Sequence, residues 1–256
     1  MYNNIFDTHT HYDDEKFSED LFTVLAELPF AGICRVVNCA TDIPSCDKCK
    51  NMSEKYDYIY FAAGIHPHEA EAAQENFIEK LKEYCKNQKC VAIGEIGLDY
   101  HYDFSPRDIQ KDVFEKQLIL ARELNLPVII HDREAHEDTW RLLKKYRPEG
   151  IVHCFSGSAE MARDIVSLGM HIGLGGAVTF KNAKKPVEVA KYVPLEKLVL
   201  ETDCPYMSPV PFRGKRNDSS LIPYTAEFIA QLKGIETQKL IDITTENAKK
   251  LFRITD

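Results

Sequence analysis

Eight short apolar runs rich in β-branched residues, separated by segments with helical patterning, constrain this chain more than any other feature. They fall at 5–7, 33–40, 58–65, 91–95, 128–131, 151–153, 171–174 and 198–201. Most are nearly continuous in apolar character, which is what a strand covered on both faces requires. Such strands alternating with helices imply a parallel sheet, and eight strand–helix units in 256 residues suit the roughly 250 residues typical of a closed barrel. The expected fold is α/β: a single (β/α)8 TIM-type barrel over 1–256, with any active site at the carboxyl ends of the strands. No linker-like composition shift, repeat or low-complexity tract argues for a second domain.

Helices are expected at 18–28, 77–85, 108–124, 135–146, 159–168, 186–192, 223–232 and 245–252. The best signalled is 108–124, where Ile109, Val113, Phe114, Gln117, Leu118 and Leu124 form a stripe beside charged residues. Ser105 is its expected N-cap, Pro106 and Asp108 suit the first turn, and Asn125 and Pro127 end it.

The formal net charge of -8 argues against a broad basic face for duplex nucleic acid, so any nucleic-acid contact is expected to be focal. No apolar run reaches the length of a bilayer span, and residues 1–7 lack the basic and apolar parts of a signal peptide. A cytoplasmic protein without a membrane association or a stable protein partner is expected. The eight cysteines fall mostly within expected strands or helices, as at Cys34, Cys90 and Cys154, and read as reduced thiols. Cys46 and Cys49, near Cys39, have metal-site spacing but lack a partner pair, and are expected to be incidental. Gly173 to Gly176 lacks the residues of a phosphate-binding loop.

The chemistry sits where the strands end. The first run leads into His9 and His11, the third into His66 and His68, the fourth ends in Glu95, the fifth in His131 and the sixth in His153. The eighth leads through Glu201 to Asp203. On an extended segment His9 and His11 point the same way and can share one cation. Independent placement would not gather imidazoles and carboxylates at one end of six strands, so a metal site is the expected reading. Four histidines, a glutamate and an aspartate suffice for two cations, and Glu95 is the candidate bridge.

Several of these residues sit in longer motifs. They are Ile5-Phe6-Asp7-Thr8-His9-Thr10-His11, Gly64-Ile65-His66-Pro67-His68, Gly94-Glu95-Ile96-Gly97-Leu98-Asp99, Pro127-Val128-Ile129-Ile130-His131-Asp132-Arg133 and Leu200-Glu201-Thr202-Asp203-Cys204-Pro205. In order and interval they resemble the motifs of TatD-type metal-dependent hydrolases. The likeness continues through His153-Cys154-Phe155-Ser156-Gly157, Thr179-Phe180-Lys181-Asn182, Arg213-Gly214-Lys215 and Thr245-Glu246-Asn247-Ala248. Tyr12 departs from it, standing where an aliphatic residue is usual. The resemblance implies that His9, His11, Glu95 and Asp203 hold one metal while Glu95, His131 and His153 hold the other. It also implies a deoxyribonuclease acting at the 3′ ends of single-stranded DNA or a nucleotide-like substrate.

The two expected cations are Mg, Mn or Zn, with Ni or Co possible: imidazole-rich ligands favour the transition metals, and the resemblance brings in magnesium. Asp203, Glu95 and His66 are the expected catalytic residues. Asp203 orients or deprotonates water, and His66 meets a phosphate or delivers a proton. Glu201 is expected to support the ligands from behind. His66, His68, Arg133, Arg213 and Arg216 are candidate phosphate contacts, and Lys181 reads as a solvated charge. Tyr100, Tyr102, Phe104 and Tyr206 are candidates for stacking on bases. Hydrolysis of an amide, ester or lactone on a small molecule would use the same array, and a non-catalytic scaffold is a third reading. Glu95, where many related cyclic-amide hydrolases use a modified lysine, favours the phosphodiester.

Overall fold

In the computed structural model, which describes residues 2–255, the eight runs form one eight-stranded sheet. The strands are β1 (Ile5–Thr10), β2 (Ile33–Cys39), β3 (Ile59–Ala63), β4 (Cys90–Asp99), β5 (Val128–Arg133), β6 (Gly150–Val152), β7 (His171–Leu174) and β8 (Leu198–Leu200). They pair in chain order and all in parallel. The last returns to the first through a parallel bridge between Thr10 and Cys204, with His11 N donating to Cys204 O at 2.8 Å and Asp203 N to His9 O at 3.0 Å. The sheet is thereby a nearly closed barrel.

Around it lie α1 (Leu21–Glu27), α2 (Ile43–Lys55), α3 (Phe77–Tyr84), α4 (Arg107–Leu124), α5 (His136–Tyr146), α6 (Ala159–Ser167), α7 (Lys184–Tyr192), α8 (Ile222–Lys233) and α9 (Thr237–Phe252). None of these is long and apolar enough to cross a membrane.

The strands read as continuous apolar runs because successive side chains enter two different cores. Ile5, Val36, Ile93, Val128, Val152 and Leu198 join the cluster shared with the helices. Phe6, Val37, Ala92, Ile129, Ile151 and Val199 form a second cluster inside the barrel, together with Leu251 and Phe252 of α9. The Phe252 ring lies 6.0 Å from that of Phe6. This period of two positions the site: two residues beyond Ile129, Ile151 and Val199 stand His131, His153 and Glu201.

Two local expectations, the cap of α4 and the start of α9, are corrected, and one helix, α2, is added to those expected. Ser105 does not cap α4; its hydroxyl donates to His68 O at 2.9 Å and accepts from Glu71 N at 3.0 Å, tying two rim loops together. Pro106 is the cap position instead, while Asn125 ends the helix in the left-handed region, as expected, with φ of 52°. α2 is a full helix, started by Asp42 accepting from Ser45 N at 2.7 Å. Its inner face is Ser45, Cys46, Cys49, Met52 and Ser53, small residues that give little hydrophobic periodicity. α9 begins at Thr237, eight positions before the expected start, with Leu240, Ile241 and Thr244 already buried.

Candidate metal centre

Glu95 is at the middle of the rim, and its two carboxylate oxygens face different groups. Oε2 lies 3.2 Å from His9 Nε2 and 3.3 Å from His11 Nε2. Asp203 Oδ1 completes that side at 3.7 and 3.5 Å from the same two nitrogens. Oε1 lies 2.7 Å from both His131 Nδ1 and His153 Nε2. The rings of His9 and His153 stack at 3.8 Å, so the two sides are adjacent. The six expected metal ligands therefore converge, and Glu95 stands between the two sets.

Hydrogen bonds behind the rings decide which nitrogens have free lone pairs. A carbonyl can only accept, so His11 Nδ1–H donates to Cys39 O at 2.9 Å and its Nε2 lone pair faces the centre. Asp99 Oδ2 likewise accepts from His131 Nε2–H at 3.1 Å, which turns the Nδ1 lone pair toward Glu95. Two acceptors facing each other at 2.7 Å require a proton or another cation between them. On protons alone, burial opposes a charge on His131, but its bonds to Asp99 and Glu95 outweigh that and raise it to about 9. His11 also rises despite burial, drawn up by Asp203 and Glu95. Burial opposes the charge on Glu95 too, yet the imidazoles, led by His153, hold it well below the usual carboxylate range. A largely buried cluster of nitrogen and oxygen acceptors that attracts positive charge fits divalent metal ions.

His66 behaves differently. Its Nδ1 accepts from His68 N at 3.1 Å, so the neutral ring carries its proton on Nε2, 3.5 Å from Glu95 Oε1. Burial lowers its pKa to about 4 and keeps it neutral. Although His66, Glu95 and His131 are close enough for a ligand set, this tautomer gives His66 a donor rather than a lone pair. Glu201, fully buried, accepts from Cys154 N with one oxygen; the other has no partner among the described residues. Burial pushes it up to about 8. It stands behind His153, whose Nδ1 is 4.0 Å from Glu201 Oε1.

Two residues without an assigned role in the sequence analysis support this array. Asp99, fully buried, accepts from His101 N and Tyr102 N through Oδ1 at 3.0 and 2.9 Å. Through Oδ2 it accepts from His68 Nε2 at 2.9 Å and from His131. Asp7 binds His9 N and Thr202 N through Oδ1, and the hydroxyls of Thr202 and Ser219 through Oδ2. Burial outweighs those donors and raises it to about 7.

The candidate phosphate contacts separate. Arg133 lies over the Tyr102 ring at 4.6 Å and Arg213 over Phe180 at 4.3 Å, both exposed. The fork of Arg216 is instead taken by Asp20, at 2.7 and 2.6 Å, with a further bond to Lys16 O. That pairing corrects the expectation of a guanidinium free for phosphate. His68 is committed to Asp99, and Lys181 is exposed beyond β7.

Barrel and donor set together define a metal-dependent hydrolase. The family model for TatD related DNase matches residues 6–253. The uncharacterized metal-dependent hydrolase YabD of Bacillus subtilis (strain 168) is 49% identical over 253 residues, covering 98% of this chain and 99% of that protein. The 3′-5′ ssDNA/RNA exonuclease TatD of Rahnella sp. (strain Y9602) is 33% identical over 262 residues, covering 98% and 99%. The crystal structure of YJJV, a TatD homologue from Escherichia coli K12, superposes with a TM-score of 0.93 at 32% identity over 100% of both chains. The chain belongs to the TatD-related DNase family.

Proposed function

We propose that this hydrolase is a 3′-5′ exonuclease of single-stranded DNA that uses two divalent cations, in the cytoplasm. The observation that carries the reading is the division of Glu95, with one oxygen toward His9, His11 and Asp203 and the other toward His131 and His153. Divalent cations held there would supply the Lewis acidity that lets water attack a phosphodiester at neutral pH. The chain's own groups do the rest. Asp203, kept ionised by His11 against its burial, accepts the proton of the attacking water. His66 presents Nε2–H toward the same space and donates a hydrogen bond to the leaving or a non-bridging oxygen, while the proton taken up by Asp203 is passed on to the leaving oxygen. Arg133 and Arg213, whose guanidiniums lie over aromatic rings rather than in carboxylate forks, meet phosphate oxygens. The relative named an ssDNA/RNA exonuclease supports the substrate class and the direction of cleavage.

The test incubates a 5′-labelled oligonucleotide with metal-loaded protein, Glu95→Ala and Asp203→Asn, adding manganese, magnesium or zinc. Wild type is expected to shorten the strand from its unlabelled end, with a loss of at least about a hundredfold in either variant. Equal activity in the variants, or no cleavage by loaded wild type with turnover of an amide, ester or lactone, would overturn the reading.

A further inference from the structure

Exposed aromatic side chains are ordinary when single. Tyr102 and Phe104, 47% and 64% exposed in the loop after β4, are instead stacked on each other with centroids 5.2 Å apart and planes inclined at 18°. The loop that presents them is held from both ends. Asp99 binds the amides of His101 and Tyr102, Asp103 takes a left-handed conformation with φ of 49° and holds Arg107, and Ser105 is fastened to His68 O. The Arg133 guanidinium joins the stack from the end of β5, 4.6 Å over the Tyr102 ring.

The stack also touches the centre. The His68 ring meets Phe104 at 4.8 Å and Tyr102 at 5.4 Å, both edge to face. His68 then shares Asp99 Oδ2 with His131, which faces Glu95. One imidazole and one carboxylate separate the aromatic surface from the ligand His131.

The two other aromatic residues expected as base contacts are already engaged. Tyr100 donates to Asp138 at 2.7 Å and lies under Arg107; Tyr206 donates to Asp14 at 2.7 Å and lies under Lys16. Among the described residues no hydrogen bond from the Tyr102 hydroxyl fastens the Tyr102–Phe104 pair, and an adjacent cation, Arg133, accompanies it.

We infer that Tyr102 and Phe104 form a stacking platform for one unpaired nucleobase at the strand end, with Arg133 on the phosphate beside it. The inference rests on the nuclease reading and adds to it a specificity-determining surface. A base in a duplex has both π-faces covered by its neighbours, whereas one at a single-stranded end offers a face to the platform. Preference for single strands then follows from ring stacking, which is indifferent to base identity. Affinity arises from few charges, in keeping with the acidic chain.

The experiment measures anisotropy binding of a labelled 12-nucleotide DNA whose linkages are phosphorothioate, so that binding is read without turnover. A second probe is the same strand with abasic residues at its last three 3′ positions. Wild type is expected to bind the base-bearing probe about tenfold or more tighter than the abasic one. Tyr102→Leu/Phe104→Leu is expected to bind both equally, at the abasic level, and Tyr102→Phe to keep the preference. Thermal unfolding of the exposed double variant checks its fold. If it loses affinity equally for both probes, or wild type cleaves DNA yet ignores the bases, the platform is wrong and the nuclease reading stands. If wild type neither binds nor cleaves, both fall.

Discussion

Asp99→Asn changes one atom of the array and tests how the ligands are aimed. Oδ1 of Asp99 serves two backbone N–H groups, which need an acceptor, so the asparagine carbonyl is held there. The new NH2 group must then take the place of Oδ2 and confront Nε2–H of both His68 and His131. His131 can relieve the clash only by moving its proton to Nδ1, the nitrogen 2.7 Å from Glu95 Oε1. A ring with its proton there has no lone pair for a cation. Loss of an outer carboxylate typically costs 10–100-fold in metal affinity, or about 1.4–2.7 kcal/mol, and the wrong tautomer places this variant toward the upper end. Breaking two charge-assisted bonds also costs about 1.5–3 kcal/mol each, which thermal unfolding will register as a lower midpoint. The assay is competition of chelated, repurified protein with a fluorescent zinc or manganese indicator, followed by activity against free metal concentration. A folded Asp99→Asn that binds metal within threefold of wild type, while Asp203→Asn is clearly weakened in the same assay, would refute the reasoning.

Three further predictions follow from buried groups. Gly173→Ala would drive a Cβ into Glu201 Oε2 and set it 3.1 Å from His153 Cα; about 1–3 kcal/mol of overpacking and a tenfold or larger fall in turnover are expected. Combining it with Glu201→Ala should restore stability relative to Gly173→Ala alone, as thermal melts would show. His171 is held near 4 by burial, with Lys197 adding to the shift, against 6.5 when unfolded. Below pH 6.5 the unfolded chain gains the proton first, so stability falls by about 3 kcal/mol as pH drops toward 4; urea titrations of His171→Leu should show a shallower slope. Replacing Cys46 and Cys49 by serine should leave kcat within about twofold while lowering the melting midpoint by several degrees. Both thiols are buried and their pKa values are pushed up, and Cys49 Sγ accepts from Asn38 Nδ2.

The sequence shows the barrel clearly because each strand is covered on both sides and so reads as a short continuous apolar run. His131, His153 and Glu201 are visible for the same reason, following inward residues at a spacing of two. Asp99 had no assigned role because the apolar run of β4 breaks at Gly94 and Glu95, while the strand continues to residue 99. The signal available was the motif itself, which ends in that aspartate. Asp7 looks like any polar residue beside a histidine; its partners Thr202 and Ser219 are brought to it only by closure of the barrel. Arg216 shows the opposite limit, since nothing local indicates that Asp20, 196 positions away, fills its guanidinium fork. The tautomer of His66 depends on the turn at Pro67, which folds His68 N back onto the ring.

The meeting of β1 with the segment after β8 has a consequence for how the protein is made. Asp7 and Thr202, which help join that seam, lie 195 positions apart in the chain. At about 5–20 residues per second, a ribosome exposes His9 and His11 on the order of ten seconds or more before Asp203. During that interval Glu95, His131 and His153 also emerge, but the cluster of His9, His11 and Asp203 stays incomplete until the segment after β8 is made. On the role proposed for Asp203, hydrolysis therefore waits for the segment after the last strand, and a copy truncated before it is expected to lack turnover.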